Sequence, residues 1–345
     1  MNRFLIFGII GITLLASCKN EVAWVPEGYG AKEFVKPTTP YVPDLTFKKV
    51  AYFPAYRSIS DIDTNMLSNL THVVFSFLKP KADASLVLDD SRESVQNVVN
   101  LVKRHNGKIV IALNGDSKIY TTLISNVQTK KLLIDNIVAY AVKNQFDGVD
   151  MDWEYPNANK ANDVTFGVFM KELSQELHSW HKTLSMAVTA GIYAGGIKDG
   201  INQTAIDACD FVNLMAYDGI TADPARPNDH SSYAMAVKVL DVWLTEKGLP
   251  KEKAVLGLPA YGKNPANAAM SFKDLLKNGA DLNGLEFTIS GVTYYYNGFG
   301  VIKQKTELAK NRANGIMFWE LGQDASGANS LIKAAKDKLD ELKPR

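Results

Sequence analysis

From Phe47 onward the chain alternates short, nearly continuous apolar runs with longer segments whose apolar residues recur at helical spacing. Eight of the short runs read as strands: Lys49–Phe53, His72–Phe77, Lys108–Leu113, Gly148–Trp153, Leu184–Thr189, Phe211–Ala216, Ala254–Pro259 and Gly315–Trp319. Each is followed by a helical pattern, over Ser60–Asn69, Ser91–Arg104, Lys130–Lys143, Val164–Trp180, Gln203–Ala208, Ser232–Lys247, Gly300–Arg312 and Ser326–Leu342. Continuous apolar strands alternating with helices belong to a parallel sheet covered on both sides. Eight such units predict an α/β fold, a (β/α)8 TIM barrel spanning residues 47–345. The alternative is an open doubly wound sheet. That fold would bind its ligand at a Gly-rich first turn, and Phe53-Pro54-Ala55-Tyr56 is no such turn.

Two stretches break the alternation. Between Tyr261-Gly262 and the eighth strand lie about fifty residues, too many for an idle connection. Phe272–Lys277 predicts a helix there and Val292–Tyr296 a strand, so residues 263–296 read as a short insertion between the seventh and eighth strands. The N-terminus is the other exception. Arg3 precedes an apolar run from Phe4 to Leu15 that is too short to span a bilayer, the pattern of a targeting segment. Leu15-Ala16-Ser17-Cys18 resembles the bacterial lipobox, which implies a signal peptide over 1–17 and lipid attachment at Cys18. An ordinary secretory signal and a short membrane anchor are the alternatives. Pro26, Gly28, Gly30, Pro37, Pro40 and Pro43 then predict a tether over 18–46. Trp24 and Tyr29 either ride in that tether or pack on the barrel base.

Composition narrows the class without changing the fold. Of 345 residues, 46% are hydrophobic and 22% charged, with a net charge of +1, which describes an ordinary globular chain. Its charges show none of the clustered Lys and Arg that nucleic acid requires, so no nucleic-acid partner is expected. With Cys18 acylated, Cys209 has no intramolecular disulfide partner and reads as a packed side chain. The five His residues are scattered. His178 and His181 lie three apart but lack a nearby acidic set, so no metal is expected.

Candidate chemistry concentrates in the fourth strand, Phe146-Asp-Gly-Val-Asp-Met-Asp-Trp-Glu-Tyr-Pro156. Asp150, Asp152 and Glu154 occupy every second position and therefore share one face, while Val149, Met151 and Trp153 bury the other. Asp147 should point away or start the strand. Three carboxyls in a row serve no packing purpose, and like charges a few Å apart cannot all ionise. An acid kept protonated beside a carboxylate is what glycoside cleavage requires. A calcium loop also alternates Asp, but with polar residues and a turn Gly in place of Val, Met and Trp.

These residues resemble the signature of glycoside hydrolase family 18, the chitinases and their relatives, Asp-Gly-x-Asp-x-Asp-x-Glu. It is matched at Asp147, Gly148, Asp150, Asp152 and Glu154, and Tyr155-Pro156 is similar to the chitinase branch. The resemblance covers about Lys48 to Leu342 and implies catalytic roles for Glu154, Asp152, Asp150 and Tyr217. Glu154 would be the general acid. Asp152 would stabilise the substrate's own N-acetyl group, with Asp150 sharing its proton. Met215-Ala216-Tyr217-Asp218 resembles the family's Met-x-Tyr-Asp, so Tyr217 would donate to the acetamido carbonyl. Tyr155, Met215, Asp218, Trp319 and Phe53 are the expected substrate contacts, Trp319 as the apolar floor. No cofactor is implied. The family is one of the substrate-assisted exceptions to two-carboxylate glycosidase chemistry.

The chain also departs from that pattern. Where the family's third strand ends Ser-x-Gly-Gly, this one reads Ala112-Leu113-Asn114-Gly115, which implies that Asp150 loses a partner. Asp116 stands where many relatives carry an aromatic. The insertion is shorter than in many chitinases, implying a shallower cleft. Tyr294 to Tyr296 either stack on sugar or are buried, the middle ring being the one expected inside. The resemblance implies a chitinase cutting β-1,4-linked N-acetylglucosamine. An endo-β-N-acetylglucosaminidase acting on N-glycans is the alternative, and a non-catalytic sugar-binding relative a further one. The expected partner is chitin or an N-acetylglucosamine-containing glycan, met by a monomer lipid-anchored at the cell envelope.

Overall fold

The computed structural model describes residues 34–343. In chain order its strands are β1 (Lys48–Pro54), β2 (His72–Pro80), β3 (Leu86–Leu88), β4 (Lys108–Leu113), β5 (Gly148–Met151), β6 (Thr183–Val188), β7 (Phe211–Leu214), β8 (Ala254–Pro259), β9 (Tyr261–Lys263), β10 (Ala269–Ser271), β11 (Glu286–Ile289), β12 (Val292–Tyr295) and β13 (Gly315–Trp319). Eight of these pair in parallel in the order β1-β13-β8-β7-β6-β5-β4-β2, and β1 pairs with β2 to close the barrel. It is a (β/α)8 barrel, with the open sheet excluded by that closure. β3 folds back antiparallel on β2 as a rim hairpin.

Period-two alternation divides the strand side chains between two cores. Ala51, Phe53, Ile109, Ile111, Val149, Met151, Ile316 and Phe318 face outward and pack with the helices in one large cluster. Val50, Tyr52, Val110, Ala112, Phe211 and Met317 face inward and fill the barrel axis. The helices cover the outer layer, among them Val95–Arg104, Val127–Lys143, Asp163–Ser179 and Phe299–Arg312.

Two expectations for the helices change. Ser60–Asn69 is not one helix but two short 3-10 turns, Ile59–Asp61 and Thr64–Asn69. Short acidic side chains take the backbone donors instead: Asp61 accepts from Ser58 N at 2.8 Å and Asp63 from Asn65 N at 3.0 Å, which cuts the helix in two. Conversely, Ser117–Ser125 is a helix that the pattern did not predict. Asp116 caps it, accepting from Lys118 N and Ile119 N, and Asn126 then caps the next helix.

The insertion is a four-stranded antiparallel sheet, β10-β9-β12-β11, with a helix over Phe272–Lys277. It grows directly from the end of β8, since β9 begins two residues after Pro259. Of Tyr294 to Tyr296 the buried one is Tyr296, not the middle Tyr295; its ring lies 6.0 Å from Phe272. β12 ends at Tyr295 and the chain there turns into the core.

Residues 34–47 cross the base of the barrel. Tyr41 stacks on His178 at 4.0 Å, His181 Nε2 bonds the Thr39 carbonyl at 2.8 Å, and Asp44 pairs with Lys108 at 2.8 Å. The expected tether is therefore held to the barrel over its described part. The signal segment, Cys18, Trp24 and Tyr29 lie outside the described residues. Among the described residues no helix is long and apolar enough to cross a membrane.

Candidate active site

The acidic stretch begins at the base and ends at the opposite rim. Asp147 precedes β5, and its Oδ2 accepts from Ile109 N at 2.8 Å, so it pins the strand's start. Gly148 must be glycine, because a Cβ there would stand 2.0 Å from Thr183 Oγ1 on β6. Asp150 and Asp152 then point along the barrel axis, 0% and 2% exposed. β5 itself ends at Met151, although Asp152 N still bonds Leu113 O at 2.8 Å. Glu154 lies beyond the strand and is exposed, so the ladder has two buried rungs and one open to solvent. That corrects the expectation of three carboxyls on one buried face: the chain leaves the sheet before its third acid.

Asp150 is held by three donors from three other strands. Tyr52 OH reaches its Oδ2 at 2.7 Å, and Ser185 Oγ and Asn213 Nδ2 reach its Oδ1 at 2.5 and 3.2 Å. Alanine at position 112 therefore does not leave it without partners; Ser185, its register neighbour on β6, supplies a hydroxyl. Burial pushes the Asp150 carboxyl up, and the hydrogen bonds from Ser185, Tyr52 and Asn213 oppose the shift. Asp152 has less help. Burial first, then the charges of Asp150 and Glu154, push it well above the carboxylate range. Its Oδ1 is buried without a hydrogen-bond partner among the described residues. Buried polar atoms are nearly always paired, and among the described residues with such an unpaired atom Asp152 is the one that lines a cavity.

A cavity of about 280 Å³ opens above these groups, at the C-terminal rim where barrel enzymes work. Tyr52, Asp152, Glu154, Tyr155, Met215, Tyr217, Asp218 and Trp319 all line it. Burial and the Glu154 carboxylate push the Tyr155 phenol up, and burial beside Asp152 does the same to Tyr217, so both remain proton donors. The Trp319 indole forms part of the wall, 5.4 Å from the Tyr52 ring and 5.9 Å from Phe77. Asp218 adopts a left-handed backbone at φ 61°. Its Oδ1 takes Tyr261 OH at 2.6 Å and Lys263 Nζ at 2.8 Å, with His230 Nδ1 at 3.4 Å. Burial opposes that charge, but the bonds from His230, Lys263 and Tyr261 outweigh it and hold the carboxyl at about 2. Among the described residues no cluster of His, Cys, Asp and Glu could hold a metal.

One expected contact is misplaced. Phe53 is 1% exposed and packs outward, 5.9 Å from Phe75 in the layer under the helices. Alternation along β1 turns its neighbour Tyr52 into the cavity instead. Tyr52, Ser185, Asn213, Tyr193, Tyr261 and Lys263 were all missed as site residues. Ser185 and Asn213 did carry a signal, as single polar positions inside otherwise apolar strands.

The model for glycosyl hydrolases family 18 matches residues 48–324, nearly the whole barrel. The chain belongs to this family. It is 29% identical over 238 residues to a class V chitinase from Arabidopsis thaliana, covering 63% of this chain and 62% of that protein. Among solved structures it is similar to the family 18 chitinase ChiB from the chitin utilization locus of Flavobacterium johnsoniae, with a TM-score of 0.74 and 29% identity over 86% of this chain and 95% of that one. A chitinase from Bacteroides thetaiotaomicron follows, at TM-score 0.73 and 26% identity over 86% and 97%. The family match takes in β1 through β13 and ends at Asp324, so it includes the whole candidate site and its insertion.

Proposed function

We propose that this protein is a retaining chitinase, hydrolysing β-1,4-linked N-acetylglucosamine with the substrate's own acetamide as nucleophile. The observation that carries the reading is Asp152, a buried carboxyl with one oxygen unpartnered, in a cavity it shares with Tyr217 and Glu154. An acetamide brings an N–H donor and a carbonyl acceptor, the complement of an Asp152 carboxyl oxygen and the Tyr217 hydroxyl. The chitinase relatives support the same substrate class.

The reaction then runs in two steps. Glu154, exposed to the cavity and protonated in the substrate complex, gives its proton to the glycosidic oxygen as the bond from that oxygen to the anomeric carbon breaks. The acetamido carbonyl oxygen, oriented by Tyr217, bonds the anomeric carbon and forms an oxazolinium ring. Asp152 stabilises the positive nitrogen as a carboxylate, the proton that it shares with Asp150 resting on Asp150. Glu154, now a carboxylate, takes a proton from water as the water oxygen attacks the anomeric carbon. The ring opens, the acetamide is restored, and the configuration is retained. Trp319 and Met215 give the pyranose an apolar floor. The site asks for no cofactor.

The N-terminus completes the proposal: Cys18 carries the lipid, and the protein works as an envelope-anchored monomer. Cys18→Ser should move it from the membrane to the soluble fraction, and continued membrane association in detergent partition would refute the anchor. The substrate is tested by incubating the protein with chitooligosaccharides and with a high-mannose glycoprotein in parallel, identifying products by mass. Shortened chitooligosaccharides with β-anomers formed first are expected. Release of N-glycan alone would overturn the chitinase reading.

A further inference from the structure

Tyr217 and Asp218 stand at the start of a long loop that leaves the barrel after β7 and returns to it at Ser231, just before the helix Tyr233–Asp241. The two ends of that excursion are stitched together. Ser231 Oγ donates to the Ala216 carbonyl at 2.6 Å, Gly219 N donates to the His230 carbonyl at 2.9 Å, and Asp218 N meets His230 Nδ1 at 3.3 Å. Beneath the stitch lies a cation that does not line the cavity. Lys305, on the helix Phe299–Arg312, is 0% exposed. Its Nζ donates to the Ser231 carbonyl at 2.6 Å, to Ser231 Oγ at 2.8 Å and to Asn297 Oδ1 at 2.6 Å. Those acceptors use all three of its N–H bonds.

Packing alone does not account for this residue. Taking an ammonium fully out of water is costly, and an unbranched apolar side chain would fill the same space. Burial pushes the Lys305 amine down to about 7, with Asp229 opposing that shift and itself paired to Arg226 at 2.9 Å. What the ammonium does supply is direction. A serine hydroxyl can rotate to donate or accept along several lines. With Lys305 donating to it, the Ser231 hydroxyl has its own proton left for the Ala216 carbonyl, and Ala216 is the residue bonded to Tyr217. Asn297 Nδ2 adds a second bond to the Ser231 carbonyl at 2.9 Å.

We infer that Lys305 is a positioning residue for Tyr217 and Asp218, acting through the Ser231 hydroxyl to fix the Ala216 peptide that leads into both. The inference rests on the substrate-assisted reading above, in which the Tyr217 hydroxyl must meet the acetamide at a set angle. Misplacement of a transition-state donor by about 1 Å costs up to roughly 10²-fold in rate.

The test uses the full chain and two variants, with chitooligosaccharide as substrate. Ser231→Ala keeps the 231 carbonyl for Lys305 and Asn297 but deletes the link to Ala216. It should lower kcat by about 10- to 100-fold and leave KM within about threefold, while the unfolding midpoint drops by only a few degrees as one Lys305 N–H and the Ala216 carbonyl lose a partner. Lys305→Met should lower kcat by a similar factor, and the double variant should lose little more than either single one. A folded Ser231→Ala protein with wild-type kcat overturns the inference, whether or not Lys305→Met folds. So does a loss that falls equally on kcat and the unfolding midpoint in both variants, the mark of a structural role alone. A wild type that cuts no chitooligosaccharide overturns the substrate reading and takes the inference with it, a result the variants cannot mimic.

Discussion

The two rims of the barrel carry the same residue type in opposite circumstances. At the base Asp44 accepts from Lys108 Nζ at 2.8 Å and from Thr46 N at 2.9 Å, and burial of its charge is overcome by those bonds, which hold it well below the usual carboxylate range. Asp210 is bonded by Tyr41 OH at 3.0 Å, His178 Nε2 at 3.0 Å and Leu184 N at 2.8 Å. At the opposite rim Asp152 keeps an unpartnered oxygen and is pushed up by burial and by two neighbouring acids. A carboxylate placed for stability collects its donors from the protein. Asp152, which leaves one oxygen without such a donor among the described residues, is instead one of the residues that line the cavity. The barrel thus separates the two tasks by about the length of a strand, with β5 joining Asp147 at one end to Asp152 at the other.

The largest effect that follows lies at the rim. Glu154→Gln removes the transferable proton and keeps the shape, so turnover of chitooligosaccharides should fall about 10²- to 10⁴-fold. Binding of the same oligosaccharide, measured by calorimetry, should persist, because Glu154 is exposed and the floor at Trp319 and Met215 is untouched. Undiminished turnover would remove Glu154 from the chemistry and with it the contrast between the rims.

That contrast was partly legible in the residues alone. The period-two spacing of Asp150, Asp152 and Glu154 is enough to place two of them on the barrel axis, and Met215-Ala216-Tyr217-Asp218 falls at the next strand end but one. Phe53 was misread because a strand's direction of alternation is set by its neighbours, and only closure of the barrel decides whether Tyr52 or Phe53 turns inward. The donors to Asp150 come from positions 52, 185 and 213, far apart in sequence and joined only by the register of β1, β6 and β7. Lys263 and Tyr261 were hidden for a different reason. They belong to an antiparallel edge, β9, that looks like the tail of a barrel strand until its partners β10 and β12 are known. The clasp at the base was unreadable because prolines suppress regular structure without saying whether the segment is free or laid against a surface.

Stability against pH sharpens the comparison at intermediate size. Asp152 is raised in the folded protein, so between the ordinary carboxyl range and its own the native state holds a proton that the unfolded chain has lost. Stability therefore falls as pH rises through that window. Asp152→Asn removes the titration: its unfolding midpoint should exceed wild type by a few degrees at neutral pH and match it in acid, while turnover drops. Asp44 has the opposite sign. Its folded pKa lies below the ordinary 3.8, so its contribution is present above that value and is lost as pH falls below it. Asp44→Asn should therefore cost stability at neutral pH, flatten the acid limb and leave turnover alone. Matching signs for the two variants in a pH series of thermal melts would erase the distinction.

The smallest effect tests whether the base is as separate from the chemistry as its geometry indicates. Tyr41→Phe keeps the ring stacked on His178 and deletes one hydrogen bond to Asp210. Asp210 retains its bonds from His178 and from Leu184 N, so no carboxylate is stranded. The loss should be about 0.5–1.5 kcal/mol in urea unfolding, the usual net worth of one such bond. Asp210 stands immediately before β7, whose far end leads into Tyr217, so a base that communicated with the rim would do so along this strand. Unchanged kcat and KM in Tyr41→Phe are expected, because a four-residue strand bonded on both sides to β6 and β8 does not transmit a shift of one end side chain.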